Sequence, residues 1–275
     1  MAIKDIVFHI DASETGESVS EFASSLAAMT GSHLTAAGIA LEYPPPAGVE
    51  DNASFALLRD LTATRRDAAE KAYERFAAAA PTGVQTDLVI IQTFSQTARD
   101  QFGELARHFH LSIVGQGLPE SGQEVQLIVT GALFGSGKPV FIVPPTHKGP
   151  AKLNKAMVCW DGGIPAARAL AGALPLLSRA DRVEVVRLSR ERDQADELPG
   201  FNIARHLARH GINATLRKLP SADDVGTAIL SHAADSGANY LVMGAYGHWR
   251  LRELVFGGAT RTILASMTVP VFMAH

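Results

Sequence analysis

Tyr240–Pro270 reads YLVMGAYGHWRLRELVFGGATRTILASMTVP, and the fold follows from where its glycines fall. It opens on an apolar run, Tyr240-Leu-Val-Met243, whose length and bounding glycine fit a buried strand. A helical segment follows from Ala259 to Ser266, then a short strand, Val269–Met273. Between the first strand and the helix stand Gly244, Gly247, Gly257 and Gly258, a G-x2-G-x9-G-G spacing. A glycine just past a strand permits φ > 0 and carries no Cβ to keep a ligand off the backbone. The second pair opens a helix, where unpaired N–H groups and the positive end of the dipole attract an anion. Strand, glycine loop and helix N-terminus together read as a phosphate cradle.

Working outward, the same strand–helix alternation fills the second half. KAMVCWD (Lys155–Asp161) is a strand ending on Asp161, with Gly162-Gly163 behind it. Leu170, Ala173, Leu174 and Leu177 make a helical stripe that Pro175 is expected to kink. Arg182–Leu188 is a strand, Leu198–His210 a helix and Asn213–Leu219 a strand. Asp223–Ala234 is a helix with Ser221 as its expected cap. The first half follows the same plan: DIVFHID (Asp5–Asp11) is echoed by KAMVCWD, and KPVFIV (Lys138–Val143) by VPVFMA (Val269–Ala274). Its elements are a strand over Ile3–Ile10, a helix carrying Val19, Phe22, Ala23 and Leu26, and a strand over His33–Leu41. A long helix from about Asp51 to Ala79 follows, with Ala69, Ala72, Tyr73 and Phe76 on one face. Val84–Ile91, Leu111–Gly115 and Val140–Val143 complete its strands, with helices at Ser95–Phe109 and Glu124–Leu133 between them. The expected fold is α/β: two tandem flavodoxin-like (Rossmann-like) domains, each a five-stranded parallel sheet with helices on both faces. Residues 1–145 and 152–275 form the two domains, with Pro144–Lys152, rich in proline and charge, as linker.

Composition agrees. A chain of 275 residues exceeds a typical single domain, and 47% hydrophobic with 19% charged residues describes an ordinary globular protein. A formal net charge of −3 argues against nucleic acid or anionic membrane as partner. A single cysteine, Cys159, excludes an intrachain disulfide and fits a cytoplasmic protein. MAIKDIVFHID lacks the pattern of a signal peptide, and no apolar run is long enough to span a membrane.

The glycine spacing resembles the nucleotide-binding signature of the universal stress protein family, G-x2-G-x9-G-[ST]. Gly244, Gly247 and Gly257 match it; Gly258 stands where the family has Ser or Thr, and a hydroxyl follows only at Thr260. The resemblance extends over the whole chain as the tandem two-domain type. It implies ATP or AMP as ligand, with Mg2+ as an optional companion, and a role as stress-response sensor or regulator. The implied site comprises Asp161, Leu188, Gly244, Gly247, Gly257, Gly258, Ala259 and Thr260. Within it Asp161 lies against the nucleoside and the Leu188 backbone meets the base. Asp161 alone reads equally well as a cap for the next helix. Arg250, Arg252 and Arg261 could add charge near the phosphates, though solvated arginines are commoner. The resemblance further implies pairing of the two last strands, Val140–Val143 and Val269–Met273, into an intrachain pseudo-dimer, with further homodimerisation open.

The first half departs from the signature. After its fourth strand comes Gly115-Gln-Gly117-Leu-Pro-Glu-Ser-Gly122, and aligning Pro139 with Pro270 sets Gln126 and Leu127 opposite Gly257 and Gly258. Asp11 persists, but this half is expected to bind no nucleotide. Other patterns carry no chemistry. Ala132–Pro139 lacks the first glycine and the Ser/Thr of a P-loop, and Leu207 sits where a His206/His210 zinc motif needs glutamate. Cys159, opposite His9 of the first half, reads as packing. Two alternatives to a nucleotide sensor remain: a slow ATP hydrolase of the adenine-nucleotide hydrolase group, and an interaction module without nucleotide. Asp161-Gly-Gly-Ile-Pro lacks the serines of an SGGxDS pyrophosphatase loop, and no nucleophile–base pair can be assembled.

Overall fold

The computed structural model describes residues 2–11, 13–45, 52–117, 122–188, 202–220, 224–246 and 258–275. They divide into two compact units, Ala2–Ala151 and Lys152–His275. In the first, the elements run β1 (Asp5–His9), α1 (Glu14–Thr30), β2 (His33–Glu42), α2 (Asn52–Ala79) and β3 (Thr86–Phe94). They continue with α3 (Ser95–Ala106), β4 (Leu111–Gly115), α4 (Gly122–Thr130) and β5 (Val140–Val143). In the second they run β6 (Lys155–Cys159), α5 (Ile164–Leu177), β7 (Arg182–Leu188), α6 (Ile203–Arg209) and β8 (Ala214–Leu219). Then come α7 (Val225–Ser236), β9 (Tyr240–Gly244), α8 (Gly258–Ser266) and β10 (Val271–Ala274). Each unit holds five parallel strands, in the orders β3-β2-β1-β4-β5 and β8-β7-β6-β9-β10. This is the Rossmann-like winding, and its direction of travel reverses between β1 and β4 and between β6 and β9.

Strand chemistry explains the sheets. β1 (DIVFH) is β-branched and aromatic and wholly apolar at its centre, as a central parallel strand must be when helices cover both faces. Phe8 meets Phe76 of α2 with ring centroids 4.9 Å apart. His9, pointing the opposite way, meets Phe102 of α3 edge-on at 6.5 Å. Ser13 caps α1 by accepting from the Gly16 N–H, and Gly31 ends it at φ 66°. In α2 the buried residues are Ala69, Ala72 and Phe76, while Tyr73 sits half-covered with its hydroxyl donating to the Thr86 carbonyl. A Cβ on Gly38 would stand 2.7 Å from that of Ala69, so glycine lets α2 lie directly on β2.

Three local details add to the sequence reading. Helix α5 runs through Pro175 to Leu177, without the hydrogen bond that a proline nitrogen cannot donate to residue 171. The cap of α7 is Asp224, whose carboxylate accepts from the N–H groups of Gly226 and Thr227; Ser221 lies outside the described residues. Hydrogen bonds from Thr227, side chain first, hold that carboxyl below its ordinary range. The stretch expected to be a linker is packed onto α1. There the Gly149 and Ala151 N–H groups donate to Glu21 and Ser25, and the His147 ring stands edge-on to Phe22.

Candidate functional site

In an open parallel sheet the crevice for ligands lies beyond the carboxyl ends of the strands, where the winding reverses. In the second unit that point falls between β6 and β9, and Cys159 and Met243 are register partners there. Asp161 follows β6 and Gly244 ends β9, so the two flank the crevice, as the sequence reading places them. Leu188 ends β7, the next strand outward, in register with Leu219. Gly247 and Gly257, with Arg250 and Arg252, lie outside the described residues.

Asp161 does two things at once. Its Oδ1 accepts from the Gly163 N–H at 2.8 Å, closing a turn in which Gly162 takes φ 75°. Gly163 is the cap of α5 and offers no side chain to that helix's first turn. The Asp161 side chain is exposed, and Oδ2 has no hydrogen bond among the described residues. The aspartate therefore shapes the loop, and its other oxygen is without a partner among the described residues.

Gly244 is required to be a glycine by packing. Its φ is not positive, and a Cβ there would sit 2.4 Å from the Ala166 nitrogen and 2.6 Å from the Pro165 carbonyl carbon. Close approach of the α5 first turn to the end of β9 demands the missing side chain. That approach brings the N-terminal turn of α5 up to the carboxyl end of β9.

At α8 the surroundings of position 258 differ from those of the Thr260 hydroxyl. Gly258 begins the helix, is exposed, and has no atom of the described residues within 4 Å of where a Cβ would point. Ala259 is half-buried, and Thr260 is 5% exposed with its Oγ1 accepting from the Tyr246 N–H at 3.3 Å. Tyr246 itself sits at φ 55°, a conformation that a bulky side chain rarely holds unless its surroundings fix it. Around it, the Ala245 N–H donates to the Ala274 carbonyl at 2.8 Å, and the His275 ring contacts the Ala245 carbonyl at 3.1 Å. Burial pushes the Tyr246 hydroxyl up from its ordinary value. The Thr260 hydroxyl thus latches the start of the glycine loop. Nothing in the sequence pattern marked Tyr246, because the motif leaves that place open to any residue. Arg261 is exposed on α8.

Cys159 retains some exposed surface, but burial of its thiol and then the Asp161 charge push it up to about 12. The reactive form is the thiolate, which at pH 8 then amounts to roughly one molecule in ten thousand. The folded chain should therefore resist a thiol reagent such as Ellman's at pH 8, and react within minutes once unfolded in guanidinium. Equal rates in both states would show the thiol to be accessible. Among the described residues no three His, Cys, Asp or Glu side chains gather as a metal site, and no helix is long and apolar enough to cross a membrane.

The architecture matches solved structures over nearly its whole length. A universal stress protein from Archaeoglobus fulgidus superposes with a TM-score of 0.71 at 15% identity, covering 98% of this chain and 97% of that one. The fold is that of the universal stress proteins. A Pseudomonas aeruginosa protein provisionally classed with them gives 0.57 at 16% identity, over 98% of this chain and 92% of that one. The cytoplasmic domain of a prokaryotic cation chloride cotransporter gives 0.51 at 13% identity, over 100% and 96%. No family model and no curated protein matches the sequence. The universal stress protein fold accounts for the repeated five-stranded units and for a crevice at each reversal of winding.

Proposed function

We propose that the second unit binds an adenine nucleotide, ATP or AMP, and that the protein acts as a cytoplasmic stress-response sensor or regulator. The observation that carries this reading is the open start of α8. Gly258 begins an exposed helix N-terminus with no described atom within 4 Å of a Cβ built there, and Asp161, beyond the end of β6, has an oxygen without a hydrogen bond among the described residues. In this reading Asp161 Oδ2 accepts from the nucleoside, the Leu188 backbone faces the base, and the phosphates lie against the N–H groups around Gly247, Gly257, Gly258 and Ala259. Mg2+ would be carried by the phosphates, since the described residues hold no ligand cluster for it. Isothermal titration of nucleotide-stripped protein with ATP, AMP and GTP is the test. The expected result is one adenine-selective site per chain; no heat with ATP or AMP would refute it.

The hydroxyl that the family signature has at position 258 can be restored. Thr260 is less suited to replace it, because its Oγ1 is buried and already accepts from the Tyr246 N–H. A hydrogen bond to a charged group contributes roughly 1.5–3 kcal/mol, so Gly258→Ser should tighten ATP binding about tenfold or more. Thr260→Ala should weaken binding indirectly, by freeing the Tyr246 N–H. Unchanged affinity in Gly258→Ser would mean that the phosphates do not reach the start of α8.

A further inference from the structure

The sheet of the first unit ends on β3, which pairs with β2 along its whole length, Thr86 to Phe94. Among the described residues no other strand pairs with it. One bond fixes which way its backbone groups point. The Leu34 N–H donates to the Gln85 carbonyl at 3.0 Å, so residues 85, 87, 89, 91 and 93 turn their N–H and C=O groups to β2. The alternate residues turn theirs outward. Tyr73 of α2 agrees with this, since its hydroxyl reaches the Thr86 carbonyl at 3.0 Å. That contact closes the outer edge at one end, and Phe94, the N-cap of α3, closes it at the other. Between them Leu88, Ile90 and Gln92 each present a backbone donor and an acceptor with no partner among the described residues.

Such an edge is a template for another strand, and proteins commonly blunt it with lysine, proline or a bulge. The corresponding strand of the second unit is blunted: β8 (ATLRKL) carries exposed Arg217 and Lys218. β3 (TDLVIIQTF) has no lysine and no proline, and its register with β2 runs unbroken. Its single charge, Asp87, is drawn to His33 of β2 at 3.2 Å. Its centre is Leu-Val-Ile-Ile, with Val89 36% exposed.

The edge also specifies its partner. Laid antiparallel about an axis at Ile90, a second β3 sets Ile90 against Ile90 and Leu88 against Gln92, so every free donor meets a free acceptor. Moving the axis to Val89 or Ile91 would bring Thr86 or Phe94, both already engaged, into the ladder. The odd-numbered side chains lie on the α3 side, where the Thr93 and Thr97 hydroxyls meet at 2.8 Å. There the same register sets Val89 against Ile91 and Asp87 against Thr93. β-branched pairs meet at the axis, and no like charges stand opposite one another. We propose that two copies of the chain associate through β3, antiparallel about a two-fold axis at Ile90, so that the sheets of their first units become continuous. The contact is closed, because each copy uses the same edge. It does not depend on nucleotide binding by the second unit.

Sedimentation and residue-resolved amide hydrogen exchange of the full chain are the test. One strand pair is a small interface, so the expected dimer forms at about 100 μM protein and dissociates on dilution to about 1 μM. Over that dilution the Leu88, Ile90 and Gln92 amides should exchange at least about tenfold faster, while Val89 and Ile91, which donate to β2, stay protected. Val89→Lys sets a lysine on each side of the axis, at a position already partly exposed, and should weaken association at least about tenfold with unaltered circular dichroism. Val89→Thr, β-branched and uncharged, should associate as the unsubstituted chain does. A monomer at about 100 μM overturns the proposal. So does a dimer undiminished in Val89→Lys, or one whose Leu88, Ile90 and Gln92 amides exchange equally fast at both concentrations. Species that grow beyond the dimer with concentration overturn it too, since they require pairing of β3 with a different edge. Should Val89→Lys fail to fold, the exchange pattern of the unsubstituted chain decides.

Discussion

Replacing Gly244 by alanine is expected to destabilise the second unit by about 2–3 kcal/mol, although the substitution adds a single methyl group. That methyl would fall 2.4 Å from the Ala166 nitrogen and 2.6 Å from the Pro165 carbonyl carbon, and both are backbone atoms at the start of α5. A flexible side chain could turn away; a helix terminus must move as a body. It cannot move freely, because Ala166, Ala169, Leu170 and Ala173 bury α5 against the sheet. Shifting the terminus also disturbs the loop that Asp161 closes through Gly163. In thermal unfolding followed by circular dichroism, the transition of this unit should fall by roughly 10 °C. Gly258→Ala serves as the control, since no atom of the described residues stands within 4 Å of its added Cβ, and should leave that transition nearly unchanged. If Gly244→Ala melts where the unsubstituted protein does, the close approach of α5 is not a constraint on the fold.

The two glycines show what a sequence can and cannot reveal. That residue 244 had to be glycine was legible, because a glycine ended an apolar run before a helical segment. Its reason was not, because the obstructing atoms belong to Pro165 and Ala166, far away in the chain and joined to β9 only by the packing of α5. Strands were read well where apolar runs were bounded by breakers: Leu111–Gly115, Val140–Val143 and Arg182–Leu188 stand at the expected residues. The end of the helix expected over Glu124–Leu133 was less legible. There α4 passes at Gly131–Gly135 into a π-helical turn. A Cβ on Gly131 would lie 2.2 Å from the Arg99 carbonyl oxygen, so the widened turn accompanies tight packing against α3. Periodicity along one segment carries no information about such a neighbour.

The side chains of the crevices divide in the same way. Asp11 and Asp161 could be paired by the repeat, since each follows an equivalent strand. The His9–Glu124–Arg65 cluster could not, because its members come from β1, α4 and α2 and meet only after the crossovers are made. A histidine where the second unit has Cys159 was the one available signal, and its burial was not legible in it. Asp224 as the cap of α7 was closer to hand, since aspartate is as good a cap as serine; only the helix boundary hid it.

The largest effect expected is on nucleotide stoichiometry. Gly247→Val should abolish ATP binding by the entire chain, although the chain contains two units of the same fold. Both units keep the aspartate after their first strand, so the repeat by itself would suggest two sites. An aspartate, however, serves the nucleoside and repels phosphate, whereas the phosphates need backbone donors and a helix N-terminus. In the first unit that ground is taken. Gly117 faces Gln126 with only 3.2 Å between a built Cβ and the Gln126 Cα, and Glu124 lies on the extended start of α4. Losing two charge-assisted bonds to phosphate costs on the order of 3–6 kcal/mol, at least about a hundredfold in affinity, before the repulsion of Glu124 is counted. Titration of the unsubstituted chain should accordingly give one site, and Gly247→Val should leave none within about a hundred times the original dissociation constant. Circular dichroism identical to that of the unsubstituted protein would show that the loss lies in the loop and not in the fold. A second site of comparable affinity, still present in Gly247→Val and lost in Asp11→Asn, would place nucleotide binding in the first unit as well and remove the distinction drawn between the two crevices.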